Sequence, residues 1–218
     1  MTERAITASG ATRLRIKSAA LDLYAAKGLD GVTIRSLTEH ANANMAAINY
    51  HFGSKDQLTF EIFRDIARKS AQARIAMLDE LQAECAAAER TPKIREIIET
   101  FVAPYLDEND PRSGVLLAQL IMKHRAGPNA WTEAVVREEL DGMALRYIGL
   151  LLEAAPHLTS KAVHWRYHLM VGGIVLALSD SASSNRLERL SGKAMAPQDI
   201  ASKRREIVDF LVAGFGGD

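Results

Sequence analysis

One cysteine, six prolines and an aromatic content of 6% deprive this 218-residue chain of several devices that small proteins lean on. Cys85 alone can form no disulfide framework and no cysteine-based metal knuckle, and it reads as a small buried hydrophobe. Net charge is missing too. The 27 basic and 27 acidic side chains cancel, so the molecule as a whole advertises no polyanionic partner. Long hydrophobic runs are absent. The longest, Leu169–Leu178, is far too short to span a bilayer, and no apolar signal core opens the chain. The expectation is a cytoplasmic protein with no membrane partner. Strand-type alternation appears nowhere either, which excludes a sheet-based core.

What the chain does have is helical periodicity, with 48% hydrophobic and 25% charged residues, the proportions of a folded globular protein. Charge is unevenly placed. Residues 1–55 hold seven bases (Arg4, Arg13, Arg15, Lys17, Lys27, Arg35, Lys55) against four acids (Glu3, Asp22, Asp30, Glu39), a net +3 that leaves −3 for the remainder. That asymmetry suits a DNA-binding head on a neutral-to-acidic body.

The periodicity predicts an all-α fold of about nine helices. A first helix over Ala11–Lys27 stops at Gly28, and two short ones follow near Ile34–His40 and Met45–Phe52. A long helix begins after Ser54, which has capping-box spacing to Gln57, and runs toward Arg90. Its apolar stripe is Leu58, Ile62, Ile66, Ala73, Met77, Leu81 and Cys85. Thr91-Pro92 opens the next helix, which carries Ile94, Ile97, Ile98, Phe101, Val102 and Tyr105 on its apolar face. Further helices are expected over Gly114–Arg125, Ala130–Ala154, Ser160–Ser183 and Pro197–Ala213, with Leu190–Ala196 as a separator. Two domains follow: a helix-turn-helix unit over 1–55 and a helical ligand-binding and dimerisation body over 56–218.

The informative segment is Gly28 to Lys55, GLDGVTIRSLTEHANANMAAINYHFGSK. Its two helices are too short to be stable alone and must pack on the first. Leu29, Val32, Ile34, Leu37, Ala41, Ile48 and Phe52 supply a three-helix core, while Thr33 and Asn44 stand where N-caps are needed. The outward face of the second short helix then shows Asn44, Met45, Ala46, Asn49 and Tyr50. Such a small uncharged face can approach base edges and phosphates without desolvating ions.

LDLYAAKGLDGVTIRSLTEHA followed by INYHFGSKDQL resembles the DNA-binding domain of the tetracycline-repressor (TetR) family. The resemblance implies that Thr33 and Tyr50 contact phosphate, that Arg35 reaches a base, and that Asn44, Met45 and Ala46 lie on a recognition helix. His51 and Lys55 match positions that touch the DNA backbone. Asn42 stands where the family often has Gly, as the next-best residue for a left-handed conformation. Asn49 replaces a frequent Tyr, exchanging a phosphate contact for an amide able to read adenine. The resemblance further implies a repressor with a double-stranded, imperfectly palindromic DNA operator.

Beyond residue 55 no motif carries a mechanism of its own. Met122, His124, Tyr147 and Trp165 are candidate lining groups for a cavity taking a small hydrophobic or acyl-type ligand. For each, ordinary packing is the competing reading. The stretch Trp165-Arg166-Tyr167-His168-Leu169-Met170 is similar to a TetR subgroup that includes regulators of fatty-acid metabolism. His164 and His168 have metal-chelating spacing but no third ligand nearby in sequence, so no metal or cofactor is expected. Arg146 and Arg166 read as structural ion pairs before ligand groups. The all-round apolar Leu169–Leu178 run, and a last helix striped by Ile200, Ile207, Leu211 and Phe215, suit the homodimer through the last two helices that the family uses. Leu211 is expected at that seam, and Gly172 and Gly173 would permit close helix approach. An enzyme is disfavoured: there is no clustered Ser/His/Asp set, no phosphate loop and no metal-ligand pattern. A helical protein-interaction module without DNA binding is the remaining alternative.

Overall fold

A computed structural model of the chain describes residues 3–29, 31–179, 186–192 and 199–216. It divides into two compact units, Met1–Ile66 and Ala67–Asp218. Among the described residues every regular element is helical. In the first unit α1 (Glu3–Lys27), α2 (Ile34–Ala41), α3 (Met45–Phe52) and the start of α4 (Lys55–Ala87) pack together. Gly28, at φ +71°, ends α1 by returning its N–H to the Tyr24 carbonyl at 2.9 Å. Val32, Leu37, Ala41, Ile48 and Phe52 are buried as the pattern predicts, against Ile16, Ala20, Leu23 and Tyr24 of α1. Leu29 and Ile34 are only half-buried. One link was not foreseen: the Tyr24 hydroxyl meets Thr59 Oγ1 at 2.6 Å inside this core, tying α1 to the start of α4.

The second unit continues with α5 (Ile94–Val102), a 3₁₀ turn (Ala103–Tyr105), α6 (Pro111–Ala126) and α7 (Ala130–Val135). A π-helical stretch (Val136–Leu140) joins α7 to α8 (Asp141–Ala154), and α9 (Ser160–Ser179), α10 (Arg186–Ser191) and α11 (Ile200–Gly214) complete it. Counting Ala130–Ala154 as one run, the described residues hold ten helices against about nine expected, α10 being the addition. The expected extension of α9 to Ser183, most of the Leu190–Ala196 separator and the Pro197 start lie outside the described residues.

Several details differ from the pattern. Pro92 precedes α5 without entering it; the Glu96 carboxylate instead accepts from the Lys93 N–H at 2.8 Å and pairs with Arg90, which holds it below the usual carboxylate range. The long stripe on α4 drifts. Beyond Ile66 it continues through Ala67, Ala71, Arg74, Leu78, Leu81 and Cys85, because steps of three and four must alternate to follow a 3.6-residue turn. Ala73 is exposed and Met77 half-buried, while Arg74 is fully enclosed.

On α9 only one face of the apolar run is covered. Met170, Val171, Ile174, Val175 and Leu178 are buried, whereas Leu169 and Leu176 are 64% and 67% exposed. On α11, Leu211 and Phe215 are buried within their own unit at 5% and 1%, and Phe210 is the exposed apolar residue at 75%. A seam position for Leu211 is thereby corrected, because its stripe faces α5 and α9 of the same chain.

Gly114 is a site of forced close approach: a Cβ there would stand 1.9 Å from the Tyr105 carbonyl oxygen. Gly114→Ala is expected to cost about 1–3 kcal/mol or more through overpacking. Gly149→Ala, where a Cβ meets nothing within 4 Å, should instead stabilise its helix by about 0.5–1 kcal/mol. Urea denaturation of both variants checks the contrast; equal midpoints would contradict it.

Candidate nucleic-acid interface

Each short helix of the first unit is capped at its N-terminus by a side chain and closed at its C-terminus by a backbone N–H. Thr33 caps α2: its Oγ1 accepts from the Ser36 N–H at 3.1 Å, and Ser36 Oγ accepts from the Thr33 N–H at 3.0 Å. Asn42 closes α2 in the left-handed conformation, φ 44° and ψ 53°, with its N–H returned to the Glu39 carbonyl. The turn therefore takes the geometry expected of it without glycine. Asn44 caps α3, its Oδ1 accepting from the Ala47 N–H at 2.8 Å.

With Ile48 and Phe52 turned inward, Asn44, Met45, Ala46, Asn49 and Tyr50 form one exposed face of α3. Tyr50 is 76% and Met45 57% exposed, and His51 stacks edge-on against Tyr50 at 5.1 Å. Thr33 and Arg35 are exposed at the start of α2. The Arg35 guanidinium rests on Glu39 at 2.9 Å, a surface pair of little energetic weight that leaves it free to swing. Lys55 is less free: its ammonium donates to the Val32 carbonyl, bracing the loop ahead of α2.

The basic excess of this segment is largely committed inside the unit. Arg13 pairs with Glu61 and lies 4.8 Å over the Phe52 ring; Lys17 pairs with Asp65 at 2.7 Å. Arg15 Nε donates to the Ala41 carbonyl at 3.0 Å, satisfying the end of α2. Over the whole compact unit eight bases face seven acids, a net +1 in place of +3, because Asp56, Glu61 and Asp65 belong to it. Asp30, counted in that tally, lies outside the described residues.

Two family models match this chain. One, described as bacterial regulatory proteins of the tetR family, covers residues 16–62, and the other, a tetracyclin repressor-like C-terminal domain, covers residues 99–214. Together they take in more than half of its length. The chain belongs to the TetR family. A transcriptional repressor, AcnR of Corynebacterium jeikeium, is 37% identical over 60 residues, 28% of this chain and 32% of the relative, so the match spans about a third of that protein. A transcriptional regulator from Rhodococcus sp. Rha1 shares the fold at TM-score 0.61 and 18% identity, over 93% of this chain and 96% of its own. A TetR family member from Streptomyces coelicolor does so at 0.58 and 20% identity, over 93% and 90%.

In this TetR chain the residues expected to line a ligand cavity differ widely in burial, and none of them lines either described groove. Met122 and Trp165 are surface residues at 44% and 58% exposure, while Tyr147 is fully buried. His124 is half-buried with Nδ1 3.4 Å from Thr132 Oγ1. His164 Nδ1 is 2.8 Å from the Ser160 carbonyl, and His168 Nε2 is 3.2 Å from Arg125. Arg146 pairs with Asp79 at 2.8 Å and Gln82 at 2.7 Å, as a structural arginine should. Among the described residues no helix is long and apolar enough to cross a membrane.

Asn44 both caps α3 and faces outward, so its two roles must be separated by substitution. Asn44→Ala is expected to cost the head about 1 kcal/mol, whereas Asn44→Ser keeps a capping oxygen and loses only a few tenths. Thermal melts distinguish these outcomes; equal losses would show that the cap contributes nothing.

Proposed function

We propose that the chain is a homodimeric transcriptional repressor whose operator affinity is changed by a small ligand. The observation that carries this reading is the exposed, capped face of α3 on a closed helical core, free of charged side chains along Asn44, Met45, Ala46, Asn49 and Tyr50. Two such helices on a twofold axis enter successive major grooves about 34–36 Å apart and read an imperfect palindrome. Thr33, Tyr50, His51 and Lys55 flank that face and are assigned to phosphate; the N-terminus of α2 beside Thr33 favours an anion. Arg35, Asn44 and Asn49 have groups that donate or accept at base edges, with Met45 and Ala46 offering apolar contact to thymine methyls.

The partner surface is assigned to α9 and α11. Trp165, Leu169, Gly172 and Leu176 lie along one line of α9, at spacings of four, three and four, and all are exposed. A Cβ at Gly172 or Gly173 would meet nothing within 4 Å, so these glycines serve no packing need inside the chain. An apolar line of this kind, together with the exposed Phe210 on α11, is what a second copy covers. Ligand and operator then bias one another reciprocally.

Two experiments test this reading. In a randomised-operator selection, Tyr50→Phe should weaken all sequences alike, and Lys55→Ala should lower the salt slope by about one. Asn49→Ala should relax one position at a cost of about 1–3 kcal/mol. An unchanged consensus with uniformly lower affinity would remove Asn49 from base reading. In sedimentation, Leu176→Glu or Phe210→Glu should give a folded monomer, whereas Leu211→Glu should unfold the chain by burying an unpaired charge. A wild type that sediments as a monomer at micromolar concentration sinks the dimer.

A further inference from the structure

A groove of about 670 Å³ opens on the second unit, a size ordinary for a small-molecule site. Its walls come from α4, α5, the 3₁₀ turn with the loop after it, and α11. Part of the lining is apolar, with Met77 on α4, Ala103 and Pro104 in the turn, and Ile200 and Val208 on α11. The rest is largely charged, and the two signs balance. Arg95, Arg204 and Arg205 stand against Glu99, Asp107 and Glu108.

Most of these charges are already engaged or fully wet. Arg95 pairs with Asp209 at 2.7 Å, joining α5 to α11. Asp107 Oδ1 accepts from the backbone and side-chain N–H groups of Asn109 at 2.9 and 3.2 Å, which shapes the loop. Arg205 lies in the field of Asp199, the residue that caps α11. Glu108 is exposed to water. Glu99 on α5 and Arg204 on α11 differ from the others. Both are half-buried, and among the described residues neither side chain has a hydrogen bond or an ion pair. A charge partly withdrawn from water without a partner is a cost. These two are of opposite sign and line the same groove, yet they do not pair with one another.

We infer that this groove is an effector site for a small zwitterion of the amino-acid or short-peptide type, its ammonium held by Glu99 and its carboxylate by Arg204. The ammonium donates to the Glu99 carboxylate, and the Arg204 guanidinium donates to the ligand carboxylate, two charge-assisted hydrogen bonds at opposite ends of one molecule. An apolar side chain of the ligand has Met77, Ile200 and Val208 to lie against. A ligand of one sign would satisfy one wall and meet like charge from the other, and a neutral one would leave both groups unpaired. Such a site rests on reading the chain as a ligand-responsive regulator and names the class of its ligand. It departs from the sequence expectation of a hydrophobic or acyl-type molecule, and none of Met122, His124, Tyr147 and Trp165 lines the groove.

Calorimetric and thermal-shift titrations of the full chain with leucyl-leucine, beside its N-acetyl and C-terminal amide forms, test the assignment. The free dipeptide should raise Tm, since a ligand that binds only the folded state stabilises it. Each blocked form should bind about tenfold more weakly, the loss of one charge-assisted hydrogen bond. Substitution then tells the two ends apart. Glu99→Gln should bind the free and N-acetyl forms alike, and Arg204→Gln should cease to distinguish the acid from the amide. If either variant fails to fold, the three forms on the wild type still decide. Equal affinity for all three, no binding of the free dipeptide, or full discrimination kept by both variants would each overturn the assignment. A gel shift without dipeptide keeps the two readings apart. A wild type that retards operator DNA but binds no dipeptide loses the ligand class and keeps the regulator; one that binds the dipeptide but no DNA fails as a repressor and keeps the site.

Discussion

Helix α3 has eight residues, too few to hold a helical conformation in water, and the whole first unit is arranged to hold it. Nucleation costs more than two turns of hydrogen bonds return, so the deficit is made up by capping and burial. Asn44 closes the N-terminus, Gly53 receives the C-terminus by returning its N–H to the Asn49 carbonyl at 2.8 Å, and Ile48 and Phe52 insert into the core. Helix α2 is equally short and is held by the same means, with Arg15 of α1 reaching across to the Ala41 carbonyl. Only after these inner and terminal groups are committed does a face remain for any other molecule. The small uncharged surface of α3 is thus a residue of folding requirements, and this makes its composition informative.

The same logic explains why the basic excess at the start of the chain is a weaker signal than it looks. Arg13, Arg15, Lys17 and Lys55 all have partners inside the unit. Glu61 and Asp65, which take two of them, lie beyond the point where the short helices end. Counting charge over a motif therefore overstates the field of the folded body that carries it. An operator contact would come from groups left exposed, Arg35 and Lys27 among the cations, and from Lys55 where it exchanges the Val32 carbonyl for a phosphate, with helix N-termini and hydroxyls supplying the rest.

Legibility from sequence followed the range of the interactions. Caps, turns and three-helix packing depend on residues three to four apart, so Thr33, Asn42, Asn44 and the outward face of α3 could be read directly. The body was legible as helices but not as a site. Arg74 meets Phe101 across 27 positions, and its backbone carbonyl lies 3.4 Å from the Tyr147 hydroxyl across 73. No local pattern announces either. A stripe drawn with hydrophobic residues alone steps around a buried arginine, which is how Ala73 and Met77 came to be placed where Ala71, Arg74 and Leu78 belong. The seam was misplaced for a related reason. Periodicity finds an apolar stripe on α11 but cannot say whether its own chain or another covers it, and Leu211 proved to be the former.

Buried polar groups in this chain divide into two kinds. Tyr24 with Thr59, and Thr100 with Tyr147 at 3.0 Å, are paired hydroxyls, each compensated by the other. Such pairs fix helix against helix at little net cost. Arg74 is of the second kind, with three donors engaged and two idle inside an aromatic cluster that gains nothing from a positive charge beyond ring contact. A methionine there would pack as well and spare the desolvation of an ion. Stability alone therefore does not account for arginine at this position.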